Sequence, residues 1–387
     1  MKPSARLPRA VVVFGFVSLL NDFASEMVAP LIPLLLATVL GAGPAALGLI
    51  EGAADAVSNL LKLWAGRHSD VAGRRRKPYV VSGYLLSNIV RPLIALSGSW
   101  LTVLAIRITD RIGKGVRTAP RDALVADVIT RDNAGRAFGF MRGLDHGGAV
   151  LGALAAAAIV YFGTERLEIV IALSAIPGIA AVALLAFGVR EAPRTRAAVT
   201  TAGPLRWALM HTRTRAYLSV LGLFSLAKIP ESFLLLRGHE LGMGVVELLL
   251  LWAAMHVVKV AIAERAGRHT DRIGRRPVIL VGWCVYVVTL FALALTQSPL
   301  ALWLLSAGLG FYFGLTEGAE RALVRDLANL EEYGTAFGWY HMVAGLAAIP
   351  AGLLLGGLWS LFGVTVAFLV SSALAVVATF GFWRFVR

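Results

Sequence analysis

Cysteine is almost missing from this chain. Cys284 is the one present among 387 residues, and it excludes an intrachain disulfide and a cysteine-built metal cluster. Charge is scarce too: Asp, Glu, Lys and Arg make up 16% of the residues, where a soluble domain carries about a quarter. A nucleotide-driven pump needs a Gly-x-x-x-x-Gly-Lys-Ser/Thr loop, and "GKGVRT" from Gly113 does not fit it. No Ser-His-Asp arrangement and no metal-ligand spacing is found in the sequence either. These absences argue against an enzyme and leave no catalytic residue, metal site or cofactor to assign.

What is abundant is oil. Apolar residues reach 58% and the mean hydropathy is +0.74. Runs such as "IVIALSAIPGIAAVALLAFGV" and "VTVAFLVSSALAVVATFGFW" approach or reach the roughly 20 residues that cross a bilayer. The pattern predicts an all-α polytopic membrane protein with about twelve spans, near 11–38, 45–65, 78–98, 100–123, 136–162, 168–189, 214–237, 244–265, 277–296, 299–322, 335–357 and 362–385. The opening "MKPSARLPRAVVVFGF" reads as an uncleaved first span. Basic clusters occupy every second junction, while "GAGPA", "SGSW", "TQSP" and "LFGVT" between them carry no Lys or Arg. Both termini are therefore expected in the cytoplasm. The net charge of +14 follows from that topology rule, with a lipid bilayer and not nucleic acid as the partner.

An internal repeat divides the chain. "GRHSDVAGRRRKP" from Gly66 returns as "GRHTDRIGRRP" from Gly267, 201 residues on. "DALVADV" (122–128) returns as "RALVRDL" (321–327), and "GRAFGFMRG" from Gly135 as "GTAFGWYHM" from Gly334, both at 199. The expected domains are two six-helix bundles, 1–189 and 214–387, joined by a polar cytoplasmic linker, 190–213. Parallel halves of this kind belong to a transporter architecture with its site near the midplane.

With both copies in hand, the chain resembles the major facilitator superfamily along its whole length. The family's loop motif, Gly-x-x-x-Asp-x-x-Gly-Arg-Arg, is matched by Gly66, Asp70, Gly73, Arg74 and Arg75, and again by Gly267, Asp271, Gly274, Arg275 and Arg276. The resemblance implies two pseudo-symmetric six-helix halves, a monomer in the cell membrane, and a cytoplasmic gate in which these residues latch the halves. The fourth-span motif is similar at Arg111, Lys114 and Gly115, with Lys in place of the usual Gln and Arg117 where a small residue is expected. "GGAVLG" in span 5 lacks the proline of the drug-exporter motif.

Charges inside spans cost about 2.5–3.5 kcal/mol each on insertion scales, so they pair or face a cavity. "DRIGKGVRTAPRDA" (110–123) sets Asp110, Lys114, Arg117 and Arg121 along one face. Asp22 and Glu26 lie one turn apart in span 1, and Asp55 is in span 2. Spans 1 and 4 line the cavity in the family, so Asp22 or Glu26 is expected to pair with Arg111. Asp22, Glu26, Asp55 and Arg111 are the proton-coupling candidates; a fixed salt bridge is the alternative for any one pair. Asp110, Lys114, Arg142, Asp145, His146, Lys228, Glu231, Glu317, Tyr340 and His341 are the expected substrate-cavity residues; span 8 also carries His256 and Lys259, and span 10 Glu320. The expectation is a proton-coupled antiporter exporting a small anionic, zwitterionic or chelate-type compound. Proton-symport or proton-independent uptake of an organic anion, efflux of lipophilic drugs and a non-transporting sensor stay open.

Overall fold

The computed structural model describes residues 7–69, 75–129, 134–189, 191, 207–327 and 333–386. Asp70, Gly73 and Arg74 lie outside them, as does most of the 190–213 linker. Among the described residues the chain is helical, without strands. In chain order the helices are α1 Arg9–Val39, α2 Pro44–Ser69, α3 Lys77–Leu96, α4 Trp100–Ala126, α5 Ala134–Phe162 and α6 Leu167–Gly188. Then come α7 Thr212–Glu240, α8 Val245–Ile273, α9 Arg275–Leu295, α10 Pro299–Leu327 and α11 Tyr333–Phe385. Gly363, at φ 84° and ψ 168°, divides α11 into two arms; positive φ is costly for any residue with a Cβ.

Nine segments among the described residues are long and apolar enough to cross a membrane, and they fall on every helix except α2 and α4. Those two have 26 and 27 residues, or ~39 Å at 1.5 Å per residue, but carry more charge. The chain is thus a multi-pass membrane protein.

Proline explains the irregular stretches. Pro30 opens a 3₁₀ turn (Ala29–Leu31) in α1 and Pro92 another (Arg91–Leu96) at the end of α3. The span expected at 214–237 is interrupted: helices Thr212–Ala227 and Ser232–Glu240 are separated by Lys228, Ile229, Pro230 and Glu231. Pro230 has no N–H and disfavours helix at Ile229. The Tyr286 hydroxyl repairs the gap, accepting from Ile229 N at 2.7 Å and donating to Ala227 O at 3.2 Å. The repeated loop motif is also more helical than expected. α2 runs past Gly66 to Ser69, and α8 runs past Gly267 and Asp271 to Ile273, so the second turn shrinks to Gly274 at φ 90°. Beyond the hydrocarbon region, water solvates a charged helix and nothing stops it continuing.

Two compact units emerge, residues 1–32 with 60–201, and 33–59 with 202–387. In the first, α1 packs on α5 and α6, and α3 on α4. Phe14, Val17, Tyr84, Val125, Met141 and Leu185 form part of its core. The α1–α5 seam depends on Gly148 and Gly152, where an added Cβ would strike the carbonyls of Leu19 and Phe23. In the second, the first part of α7 packs on α11, α8 and α9 on α10, and α9 on α11. Its core is aromatic: Phe224 stacks on Trp283 at 3.8 Å, and Tyr286 meets Tyr312 at 4.4 Å.

An ion pair recurs at the repeat offset. Arg76 meets Asp127 at 2.8 Å in the first unit, and Arg275 meets Asp326 at 3.2 Å in the second; both residues move by 199. Each pair ties the start of one helix to the end of the next. Glu191 adds a cap in the first unit, accepting from the amides of Arg76 and Lys77 at 2.8 and 2.9 Å, where a helix N-terminus favours negative charge. Arg276 donates to the Trp383 carbonyl in the second.

Gly148→Val should part α1 from α5 and cost about 1–3 kcal/mol, the usual penalty of overpacking, read as a lower melting temperature in detergent. Gly147→Ala, with open space around the new Cβ, should leave it unchanged or slightly raised.

Candidate functional site

In the first unit the deepest charges centre on Asp110. Its side chain is 2% exposed, with Arg91 at 3.1 Å and Arg107, one turn earlier on α4, at 3.8 Å. Arg91 also donates to Asn88 Oδ1 at 3.2 Å, and Asn88 donates to Asn21 Oδ1 at 3.2 Å, so α1, α3 and α4 share one polar network. Arg117 continues it, donating to Ser87 Oγ at 2.6 Å and stacking over Tyr84. Asp110 is therefore held among cations of α3 and α4. Arg111 is half-buried within electrostatic range of Asp110, and its buried Nε has no hydrogen-bond partner. The cations that hold the α4 carboxylate are thus Arg91 and Arg107. Neither belongs to a motif; the one sequence signal for Arg91 is a charge beside Pro92 inside an otherwise apolar span.

A second cluster lies where α1 and α5 are drawn together by Gly148 and Gly152. Asp145 is buried, and its Oδ1 has no hydrogen-bond partner. Its Oδ2 faces Arg142, whose side chain is 48% exposed, at 3.8 Å. Asp22, Ser18 and Arg121 complete the surroundings. Asn21 donates to Asp22 at 3.0 Å, and Arg121 donates to Ser18 Oγ at 3.0 Å and pairs with Asp122 at 2.9 Å. Of the expected residues, then, Asp22, Arg142 and Asp145 meet. Glu26 lies half-buried one turn along α1, His146 is half-buried beside Asp145 in sequence, and Lys114 is exposed on α4. Asp55 is exposed on the part of α2 that belongs to the second unit.

The second unit gathers its charges at the break in α7. Lys228 and Glu231 both leave the unwound residues. Glu231 meets Lys259 of α8 at 2.5 Å, and Lys228 meets Glu320 of α10 at 3.7 Å. The Glu320 carboxylate is 3% exposed; it accepts from Trp283 Nε1 at 3.0 Å and from Tyr340 OH at 3.4 Å. Lys228 lies over the Phe224 ring at 5.6 Å and Lys259 over Phe313 at 4.6 Å. Glu317 pairs with Arg321 at 3.0 Å, and the His341 ring sits edge-on to Tyr340 at 5.3 Å. Glu320 is the hub of this unit; Trp283 and Tyr286, on α9, carry no charge to flag them. Of the motif residues, Gly66 lies against Ala119, Gly267 and Asp271 sit on the helical extension of α8, and Gly274 and Arg275 begin α9.

Paired internal charges in two repeated helical units are what a solute carrier needs, and comparison with known proteins agrees. The family model described as Major Facilitator Superfamily matches residues 14–263 and 232–387. The chain belongs to the Major Facilitator Superfamily. An uncharacterised MFS-type transporter of Methanocaldococcus jannaschii is 31% identical over 379 residues, covering 96% of this chain and 94% of that protein. Among solved structures, the human organic anion transporter MFSD10 (TETRAN) is similar at a TM-score of 0.71 and 18% identity, covering 97% of this facilitator and 100% of that chain. A D-xylose-proton symporter reaches 0.75 at 16% identity, covering 98% of each chain. This facilitator is accordingly a membrane transporter of a small solute, not an enzyme.

Arg91→Met should remove the 3.1 Å partner of Asp110 and cost about 3–5 kcal/mol, as removal of one member of a buried pair does. Adding Asp110→Asn should recover part of the loss, so the double variant unfolds well above the temperature that additivity predicts. Thermal unfolding in detergent measures both.

Proposed function

We propose that this facilitator is a proton-coupled secondary transporter that exports a small anionic, zwitterionic or chelate-type solute by alternating access. Nine apolar segments, the charged helices α2 and α4, and the division of α11 at Gly363 support a count of twelve spans, with bundles at 1–189 and 214–387 and a linker at 190–213. The alternation of basic junctions supports cytoplasmic termini. The fold is shared by an organic anion transporter and by a proton-coupled sugar symporter, so substrate and coupling are argued from the side chains.

One observation carries the coupling: Asp145 is buried with an unpartnered oxygen, and a second carboxylate, Asp22, is within electrostatic range. Neighbouring carboxylates can hold one proton between them. Arg121 and the half-exposed Arg142 stand on the same cluster, so release of a proton can be offset by movement of a guanidinium. That exchange links protonation to the arrangement of α1, α4 and α5. Glu26, Asp55 and Arg111 are assigned to the same proton route, and Asp110, Lys114 and His146 flank it. On the substrate side, Arg142, Lys228, Glu231, Glu317, Tyr340 and His341 keep their assignment. Gly66, Asp70, Gly73, Arg74, Gly267, Asp271, Gly274 and Arg275 are assigned to a cytoplasmic latch; the positive φ of Gly274 and the Arg275–Asp326 pair support it. The working unit is read as a monomer.

The test begins with thermal stabilisation of the purified protein by organic anions, sugar phosphates, metal chelates, lipophilic cations and neutral sugars, since a ligand of the native state raises apparent stability. The stabilising compound is then followed in proteoliposomes under an imposed pH gradient. Asp22→Asn and Asp145→Asn should each reduce uphill transport to the level of protein-free vesicles while counterflow exchange persists. Uphill transport at the wild-type rate in both variants would refute the coupling pair.

A further inference from the structure

The four charges at the α7 break form two ion pairs of unequal closure. Lys259 and Glu231 are 2.5 Å apart, with side chains 10% and 24% exposed. Lys228 and Glu320 are 3.7 Å apart, beyond a hydrogen bond, and their exposures differ sharply, 34% against 3%. The carboxylate is fixed from behind by two neutral donors, the Trp283 indole and the Tyr340 hydroxyl. These orient its oxygens and leave its charge uncancelled. The cation is a long flexible chain springing from non-helical backbone, resting on the face of Phe224. Aromatic faces attract ammonium groups without holding them in one geometry.

We propose that Lys228 is a tethered stand-in for a ligand ammonium, and that the site it now closes, with Glu320, Trp283 and Tyr340 behind it and the Phe224 ring beneath it, binds a zwitterionic solute with an apolar or aromatic body. The solute's ammonium takes the place of the Lys228 ammonium on Glu320. The displaced Lys228 takes the solute's anionic group, so both members of the resident pair find a partner and no charge is left buried alone. A simple amine would strand Lys228, and a simple anion would strand Glu320; a zwitterion strands neither. Phe224 is fully buried, stacked on Trp283 with Lys228 over its ring, so displacement of Lys228 is what uncovers an aromatic surface for the apolar body, in keeping with sites that combine apolar lining with a few orienting polar groups. The proposal rests on the transporter reading above and narrows its solute to one class.

Two arms test it by thermal unfolding of the purified full chain in detergent, where no proton gradient exists and failure of the Asp22–Asp145 coupling has no effect. In the first, Lys228→Ala removes the tethered ammonium and should lower the melting temperature, and ethylammonium chloride should restore most of that loss saturably. Sodium chloride at the same ionic strength should not, nor should ethylammonium act on Lys228→Ala/Glu320→Gln. Lys228→Gln serves the same arm should the alanine variant fail to fold. In the second, the wild type meets a matched set: phenylalanine, phenethylamine and 3-phenylpropionate. Phenylalanine should bind at least about tenfold more tightly than either, ~1.4 kcal/mol. Absence of rescue by ethylammonium overturns the site. Equal stabilisation by phenethylamine or by 3-phenylpropionate, or none by phenylalanine, overturns the zwitterion.

Discussion

A carboxylate or guanidinium inside a hydrocarbon slab has to bring its own counter-charge, because no water is there to supply one. Much of this molecule's construction answers that demand. At the ends of α3 and α4, and again at α9 and α10, the same Arg–Asp pair recurs 199 residues apart. The Asp side chains there are 46% and 50% exposed, so each pair contributes little stability, about 0–1 kcal/mol. Their effect is on register: a helix start is fastened to the end of its neighbour in both halves. Deeper in the first unit the Arg91–Asp110 pair is buried on both sides, and Asn21, Asn88 and Ser87 add hydrogen bonds that tie α1, α3 and α4 together.

The degree of closure separates charges that hold the fold from charges that can act. In Arg91–Asp110 both members are buried, at 4% and 2%. In Lys228–Glu320 and Arg142–Asp145 the carboxylate is also largely hidden, at 3% and 10%, but the cation is far more open, at 34% and 48%, and the distance is long. A buried carboxylate with a movable cation can exchange its partner for a proton or for part of a solute; a pair sealed on both sides cannot. Distance and exposure together therefore rank these groups better than depth along a span does.

Helices, repeat and family were legible in the sequence because each has a periodic signal: apolar runs, alternating basic junctions, and "GRHSD" answered by "GRHTD". The charged residues were legible individually, since any ionisable group in an apolar run stands out. Their partners were not. Arg91 reaches Asp110 across 19 residues and Tyr340 reaches Glu320 across 20, and helical spacing carries no information about such pairs. The α7 break was foreshadowed by Pro230, but the residue that makes it tolerable, Tyr286, lies 57 positions from Ile229. Glycines at 148 and 152 read as ordinary small residues until the carbonyls of Leu19 and Phe23 are seen against them.

The repeat also sets opposite charges at equivalent positions of the two units. At the 199-residue offset, Arg121 of α4 corresponds to Glu320 of α10, and Tyr84 to Trp283. Around Arg121 the first unit collects acids, Asp122 at 2.9 Å and Asp145, with the hydroxyl of Ser18. Around Glu320 the second unit collects a cation, Lys228, with the neutral donors of Trp283 and Tyr340. Position is kept and sign is inverted. Inverted halves balance within themselves, so each can be opened by a partner of either charge at the cost of one loose pair.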